Sequence, residues 1–218
     1  MSRVRVHNFT ISLDGFGAGH GQSLDAPFGH GGHIMDWFKG TRTFHRMVGS
    51  PAGETGIDDR FAAGWGPGIG AEIMGRNKFG PQRGPWEDDG WRGWWGEEPP
   101  FHTPCFVLTH HPRPPLELTG TTFHFVDASP AEALEQAREA AGGLDVRIGG
   151  GAITVREFLE ADLVDYLHLV LVPTLLGRGS RLWGEGLERL ERKFDEVRTT
   201  ASPSGMVHVE LERAARRG

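Results

Sequence analysis

The chain has a single cysteine, Cys105, in 218 residues. A lone thiol excludes an internal disulfide and a cysteine-based zinc cluster, and it suits a reducing compartment. Lysine is nearly as scarce. Only Lys39, Lys78 and Lys193 occur, so arginine supplies most of the 23 cations. Against 29 acidic residues these leave a formal charge of −6, which argues against a footprint on a phosphate backbone and so against nucleic acid as a partner. No stretch approaches the roughly 20 apolar residues of a membrane span, and Met1 to Val6 hold no apolar run of the signal-peptide kind. The expectation is a soluble cytoplasmic protein with no membrane partner.

Glycine is what the chain has in excess: 33 residues, about twice the usual ~7 % share. With 38 % hydrophobic residues and seven tryptophans the chain can bury a core, so disorder and collagen-like structure are excluded. The glycines therefore serve ordered backbone: tight turns, positive φ, or close approach to a ligand.

Along the chain, β-formers over residues 3–12 predict a strand stopped by Asp14-Gly15. Seven glycines between Gly15 and His33 predict a long loop without periodicity. Met35, Trp37, Phe38, Phe44, Met47 and Val48 follow at loosely helical spacing. Short buried strands are expected at Ala71–Met74, Phe106–Leu108 and Thr122–Val126. Ser129, Pro130 and Glu132 write a capping box with proline at the first helical position, and Gly142-Gly143 stops that helix. Val146 and Ile148 lead into Gly149-Gly150-Gly151 and a second helix through Val155, Phe158 and Leu159. A continuous apolar strand is expected from Leu163 to Val172, of the kind covered on both faces. Phe194–Thr200 and Val207–Leu211, joined by Ser202-Pro203-Ser204-Gly205, form a terminal antiparallel hairpin. Residues 80–104 hold Trp86, Trp91, Trp94 and Trp95 without strand or helix period, an ordered insertion whose indoles cover apolar surface at an interface or beside a ligand. Strand–helix–strand units with a closing hairpin imply one α/β domain over 1–218 with a mixed, mostly parallel sheet flanked by helices.

Three strand-end turns carry chemistry. Gly149–Gly151 lie between a strand and a helix start, where free N–H groups and missing Cβ atoms admit a pyrophosphate; the alternative is a tight turn with no ligand. The turn is neither Gly-x-Gly-x-x-Gly nor a P-loop. Gly75-Arg76-Asn77 offers a guanidinium fork for a terminal phosphate, and Leu108-Thr109-His110 places a hydroxyl and an imidazole after a buried strand. His20, His30 and His33 share the glycine loop, but their spacing matches no metal site and they read as exposed loop histidines.

Together with the opening Ser12-Leu13-Asp14-Gly15-Phe16, the ordered Met-Gly-Arg, Leu-Thr-His and Ile-Gly-Gly-Gly turns resemble the dihydrofolate reductase superfamily. The run from Gly149 through Leu163-Val164-Asp165 to Val172-Pro173-Thr174-Leu175-Leu176-Gly177-Arg178-Gly179 is similar to its riboflavin-biosynthesis pyrimidine reductase branch. The resemblance implies a dihydrofolate reductase-like fold, a homodimer, and NADPH as cofactor for hydride transfer to a small heterocyclic or ribose-derived substrate, in the manner of a 5-amino-6-(5-phosphoribosylamino)uracil reductase. By position, Arg76 and Asn77 would hold the 2′-phosphate and Thr109 with His110 the adenosine. Gly149, Gly150, Gly151, Ala152 and Ile153 would line the pyrophosphate and nicotinamide, with the family's cis Gly-Gly peptide at Gly150-Gly151. Thr10, Asp14 and Trp37 are the implied substrate contacts, Asp14 being alternatively a turn cap. Asp36 is the implied proton-delivering carboxylate, or else an acid favoured in a helix's first turn. No cation that would anchor a ribose phosphate is identified, and no His-x-Glu with Pro-Cys-x-x-Cys deaminase motif occurs. The alternative function is a dinucleotide- or flavin-binding module without turnover.

Overall fold

The structure is a computed structural model that describes residues 2–87, 90–184 and 194–213. Residues 88 and 89 of the tryptophan-rich insertion, and Lys193, lie outside the described residues. Eleven strands are present among those described: β1 (Val4–Ser12), β2 (Phe16–Gly19), β3 (Ile69–Gly75), β4 (Cys105–Leu108), β5 (Leu116–Leu118), β6 (Thr121–Val126), β7 (Asp145–Gly150), β8 (Tyr166–Val172), β9 (Gly179–Arg181), β10 (Glu196–Ala201) and β11 (Val207–Glu212). The α-helices are α1 (Asp36–Lys39), α2 (Arg42–Met47), α3 (Ile57–Ala63), α4 (Arg76–Phe79), α5 (Pro130–Ala140) and α6 (Ala152–Glu160).

Nine strands form one sheet in the order β10-β11-β8-β1-β7-β3-β4-β6-β5. Its centre, β8 to β6, is parallel; β5 and the terminal hairpin are antiparallel. This is the mixed, mostly parallel α/β architecture expected from the sequence. Alternation along the central strands splits the core between two faces. Val146, Ile148, Ile73 and Phe106 pack with Leu134, Val155, Phe158 and Leu159 of α5 and α6. Met74, Cys105 and Val107 face the other way, against Phe79, Phe101, Trp86, Trp91 and Trp95. The insertion is thus the lid of a second core, and its indoles find partners: Trp86 Nε1 donates to the His111 carbonyl at 2.6 Å and Trp91 Nε1 to the Phe79 carbonyl at 3.0 Å.

Local signals held where side chain and backbone settle the matter within a few residues. The Ser129 amide donates to Glu132 Oε2 at 2.9 Å and the Glu132 amide to Ser129 Oγ at 3.4 Å, closing the capping box. Elsewhere tertiary contacts prevailed. The expected glycine loop contains β2, which pairs with β9, and a 3-10 turn over Gly29–Met35. That pairing uses a segment distant in sequence, so no local pattern announces it. The apolar repeat from Met35 to Val48 is two helices, because Thr41 leaves the helical path and caps α2, accepting from the Phe44 amide at 3.1 Å. The strand expected from Leu163 starts at Tyr166, since the Leu163 amide closes the end of α6 on the Phe158 carbonyl and Asp162 turns left-handed at φ 61°. Short β5 and α3 carry no periodicity long enough to be read.

Candidate active site

Because β1, β7, β3 and β4 run parallel, their C-terminal ends share one edge of the sheet. Met74 is level with Gly150 and Gly75 with Leu108, so the three sequence-predicted turns stand side by side. The register of β7 against β3 shifts between Ile73 and Met74, which is where Gly149 bulges. The Gly150-Gly151 peptide is cis, and Gly150 has φ +111°, a conformation that requires glycine. Gly151 is the N-cap of α6 and provides no side-chain cap, so the amides of the first turn face outward without a side-chain acceptor. An ideal Cβ on Gly151 would meet nothing within 4 Å, so this cradle is open.

A cavity of about 400 Å³ opens beside the cradle at this sheet edge and reaches the first turn of α6. Of the sequence-predicted residues, Thr10, Trp37, Asn77, Gly149, Gly150, Gly151, Ala152 and Ile153 line it. Trp37 is buried and its Nε1 donates to Thr10 Oγ1 at 3.0 Å. The opposite walls are aromatic, from Trp65, Trp94, Trp95 and Phe101. The insertion therefore covers a core and, through Trp94 and Trp95, lines this cavity.

Five predicted residues lie elsewhere. Asp36 is 66 % exposed in an ion pair with Lys39 at 3.0 Å and does not reach the cavity, because the short α1 turns it outward while Trp37 turns in. Asp14 accepts from the amides of Leu176 at 3.1 Å and Gly177 at 2.7 Å, and from Ser12 Oγ at 2.6 Å. The Ser12 hydroxyl first, then against opposing desolvation the Gly177 and Leu176 amides, hold its carboxyl at about 2. In this arrangement Asp14 pins the loop after β8, the turn-cap alternative. Arg76 stacks on Trp86 at 3.8 Å and hydrogen-bonds the Gly84 carbonyl; its Nε and Nη2 are buried with no hydrogen-bond partner among the described residues. Thr109 is buried and accepts from the His111 amide at 3.1 Å, while His110 is exposed and paired with Asp127 at 2.9 Å. Arg76, Thr109 and His110 stand on the same sheet edge beyond the cavity. His20 and His30 stack at 4.3 Å and His33 meets Thr174 at 3.2 Å; no three His, Cys, Asp or Glu among the described residues are grouped to hold a metal ion.

What sequence reasoning missed is the cavity floor. Glu72, 1 % exposed, accepts from Lys78 Nζ at 2.7 Å on one carboxylate oxygen and from Arg147 Nε at 2.8 Å on the other, with Arg147 Nη2 closing the fork. The Arg147 guanidinium lies over Trp65 at 4.3 Å. Burial, with Arg147 adding to it and Glu72 opposing, draws the Lys78 ammonium below its ordinary range. A methyl on Gly149 would overlap Glu72 Oε1 and Lys78 Nζ, so the bulged glycine exists to let this network pass under the cradle. The available signal was a charged residue inside each apolar strand, Glu72 in Ala71–Met74 and Arg147 in Val146–Ile148, which is costly unless the two are paired.

The fold and site define an α/β protein with a glycine-edged cavity at the C-terminal edge of a mostly parallel sheet. The RibD C-terminal domain family model matches residues 5–207, and the chain belongs to that family. It is similar to a crystal structure of a Shewanella sp. PV-4 protein named for riboflavin biosynthesis, with 21 % identity, a TM-score of 0.60, and coverage of 99 % of this chain and 100 % of that one. It is similar also to a Thermotoga maritima diaminohydroxyphosphoribosylaminopyrimidine deaminase/5-amino-6-(5-phosphoribosylamino)uracil reductase, at 15 % identity and a TM-score of 0.55. There the match covers 98 % of this chain but only 57 % of the Thermotoga chain. A pyrimidine reductase-like protein from Corynebacterium diphtheriae matches at 14 % identity, with a TM-score of 0.51 and 98 % and 92 % of the two chains covered. No curated protein matches. Among the described residues no helix is long and apolar enough to cross a membrane.

Proposed function

We propose that the protein is an NADPH-dependent reductase, a single unit that transfers hydride to a flat heterocyclic substrate in the aromatic cavity. The observation that carries this reading is the Gly149–Gly151 cradle, which lines the cavity, is open at Gly151 and leads onto the first turn of α6, where no side chain caps the helix. Arg76 stands on the same edge with Nε and Nη2 unpartnered but buried against Trp86, and it would meet a terminal phosphate on turning its guanidinium off that ring. When bound, the dinucleotide supplies the hydride. The chain's own residues would do the rest: the glycine backbone would hold the pyrophosphate, and Trp65, Trp94 and Trp95, which line the cavity, would exclude water and pack on a planar ring. The pyrimidine reductase activity named for the Thermotoga relative is one member of this reaction class. Exposed Leu13 and Leu175, brought near each other by the Leu13 amide on the Thr174 carbonyl, offer the apolar surface that a homodimer would cover.

A second reading, a dinucleotide- or flavin-binding module without turnover, draws on one observation: no Asp or Glu lines the cavity among the described residues. Titrating the protein into NADPH and following cofactor fluorescence tests both, and no binding at micromolar protein overturns both. Oxidation at 340 nm against dihydrofolate, pyrimidine and quinone-like acceptors then separates enzyme from module. Arg76→Ala is expected to weaken NADPH binding about 10- to 100-fold, the loss of a charge-assisted phosphate contact, and to leave NADH nearly unchanged. Equal losses for the two cofactors would show that Arg76 does not read the phosphate.

A further inference from the structure

The floor of the cavity has a charge imbalance. Lys78 and Arg147 both line it, and they share one carboxylate, Glu72, which lies behind them with both oxygens engaged. No other acidic side chain reaches the cavity among the described residues. One positive charge is therefore left without a counter-charge in a space walled by Trp65, Trp94, Trp95 and Phe101. Water can solvate it only in part, since the Lys78 side chain is 23 % exposed and that of Arg147 9 %. An ammonium has three donors, and Glu72 takes one of those on Lys78. A buried cation with spare donors gains most from an anion brought in by a ligand, because Coulomb attraction is strong where water is excluded. The aromatic walls favour a flat ring as the carrier of that anion.

We infer that the cavity binds a planar aromatic ring carrying an ionised acidic group, a carboxylate or comparable oxyanion, seated on Lys78 Nζ above Gly149. This names the substrate class for the reductase read above and rests on that reading only for the ring's being a hydride acceptor. The lowered proton affinity of Lys78 agrees with it, since an anion arriving beside the ammonium relieves that strain on the charged form. The bulged glycine agrees too, because any side chain at 149 would fill the place where the ammonium meets the cradle.

The test uses the intact chain and two probes of equal shape, 1-naphthoate and 1-naphthamide, with binding followed by calorimetry and by quenching of tryptophan fluorescence. The wild-type protein is expected to bind naphthoate about tenfold or more tightly than naphthamide. Lys78→Met should abolish that preference while leaving naphthamide affinity within about twofold, with its fold checked by circular dichroism; Lys78→Gln serves if the Met variant does not fold. Inorganic phosphate at equal concentration should not displace naphthoate. Equal affinities for the two probes in the wild-type protein overturn the inference, as does a preference that survives in the Lys78 variant. Displacement by phosphate would assign the site to a free anion and overturn the aromatic class. NADPH fluorescence titration of the same samples keeps the readings apart: naphthoate preference without NADPH binding leaves this site standing and removes the reductase.

Discussion

Glu72→Gln is expected to destabilise the protein by about 3–5 kcal/mol, the cost of removing one partner from a buried ion network. The amide keeps the shape of the carboxylate but leaves Lys78 and Arg147 facing each other with no counter-charge between them. Neither can swing to solvent easily: Lys78 is held under Gly149 and Arg147 over Trp65. For a chain of this length such a loss lowers Tm by roughly 6–20 °C. Pairing Glu72→Gln with Lys78→Met removes one of the stranded cations and should recover part of the loss, so the two changes are non-additive. Urea unfolding of the single and double variants measures both. A single-variant loss below 1 kcal/mol would show that the network is solvated rather than buried.

The second large effect is acid sensitivity. The β1 bulge at Asn8, φ +54°, aims its amide at His168 Nδ1 at 3.2 Å. With Nδ1 accepting, His168 Nε2 donates to His208 Nδ1 at 3.1 Å, and His208 Nε2 donates to Asp58 at 2.8 Å. These tautomers are assigned from the network. Phe61 stacks on both rings, at 4.7 Å and 4.1 Å. A proton added to His168 has no acceptor to face, and burial, with His7 and His208 adding to it, lowers its pKa to about 2. His7 is lowered to about 3 by burial and by Arg5 and Arg147. Both folded-state values lie below the unfolded value near 6.5, so the unfolded chain binds more protons below that pH. Full stability is therefore present above pH 6.5 and is lost as pH falls from there toward 3. At one proton per histidine and about 1.4 kcal/mol per pH unit each, the drop between pH 7.5 and 5.5 is about 2–3 kcal/mol. Denaturant unfolding at the two pH values checks it, with His7→Phe expected to remove about half. A flat profile over that range would mean that these rings are protonated in the folded state.

The sequence was legible where a residue's role is set by its near neighbours or by motif order. The capping box at Ser129, the stop at Gly142-Gly143, the glycine turn after β7 and the parallel strands feeding it are all local patterns, and they placed that turn at the C-terminal edge of the sheet. Asp36 and Asp14 show the limit. Both are acids close to the predicted site in sequence, but orientation is decided by packing: α1 turns Trp37 inward and Asp36 outward, and Asp14 is claimed by amides from the loop after β8. Position along the chain carries no information about which of two adjacent side chains faces a cavity that three other segments build.

By itself, then, the sequence determined the α/β class, the family resemblance and the glycine cradle, because periodicity, caps and turn chemistry act within a few residues. Only the tertiary structure decided what fills the site. Glu72 from β3, Lys78 from α4 and Arg147 from β7 meet because parallel strands bring distant segments into register, and burial then obliges those charges to pair. The scarcity of lysine gains a meaning there: one of the three, Lys78, stands on the floor of the cavity.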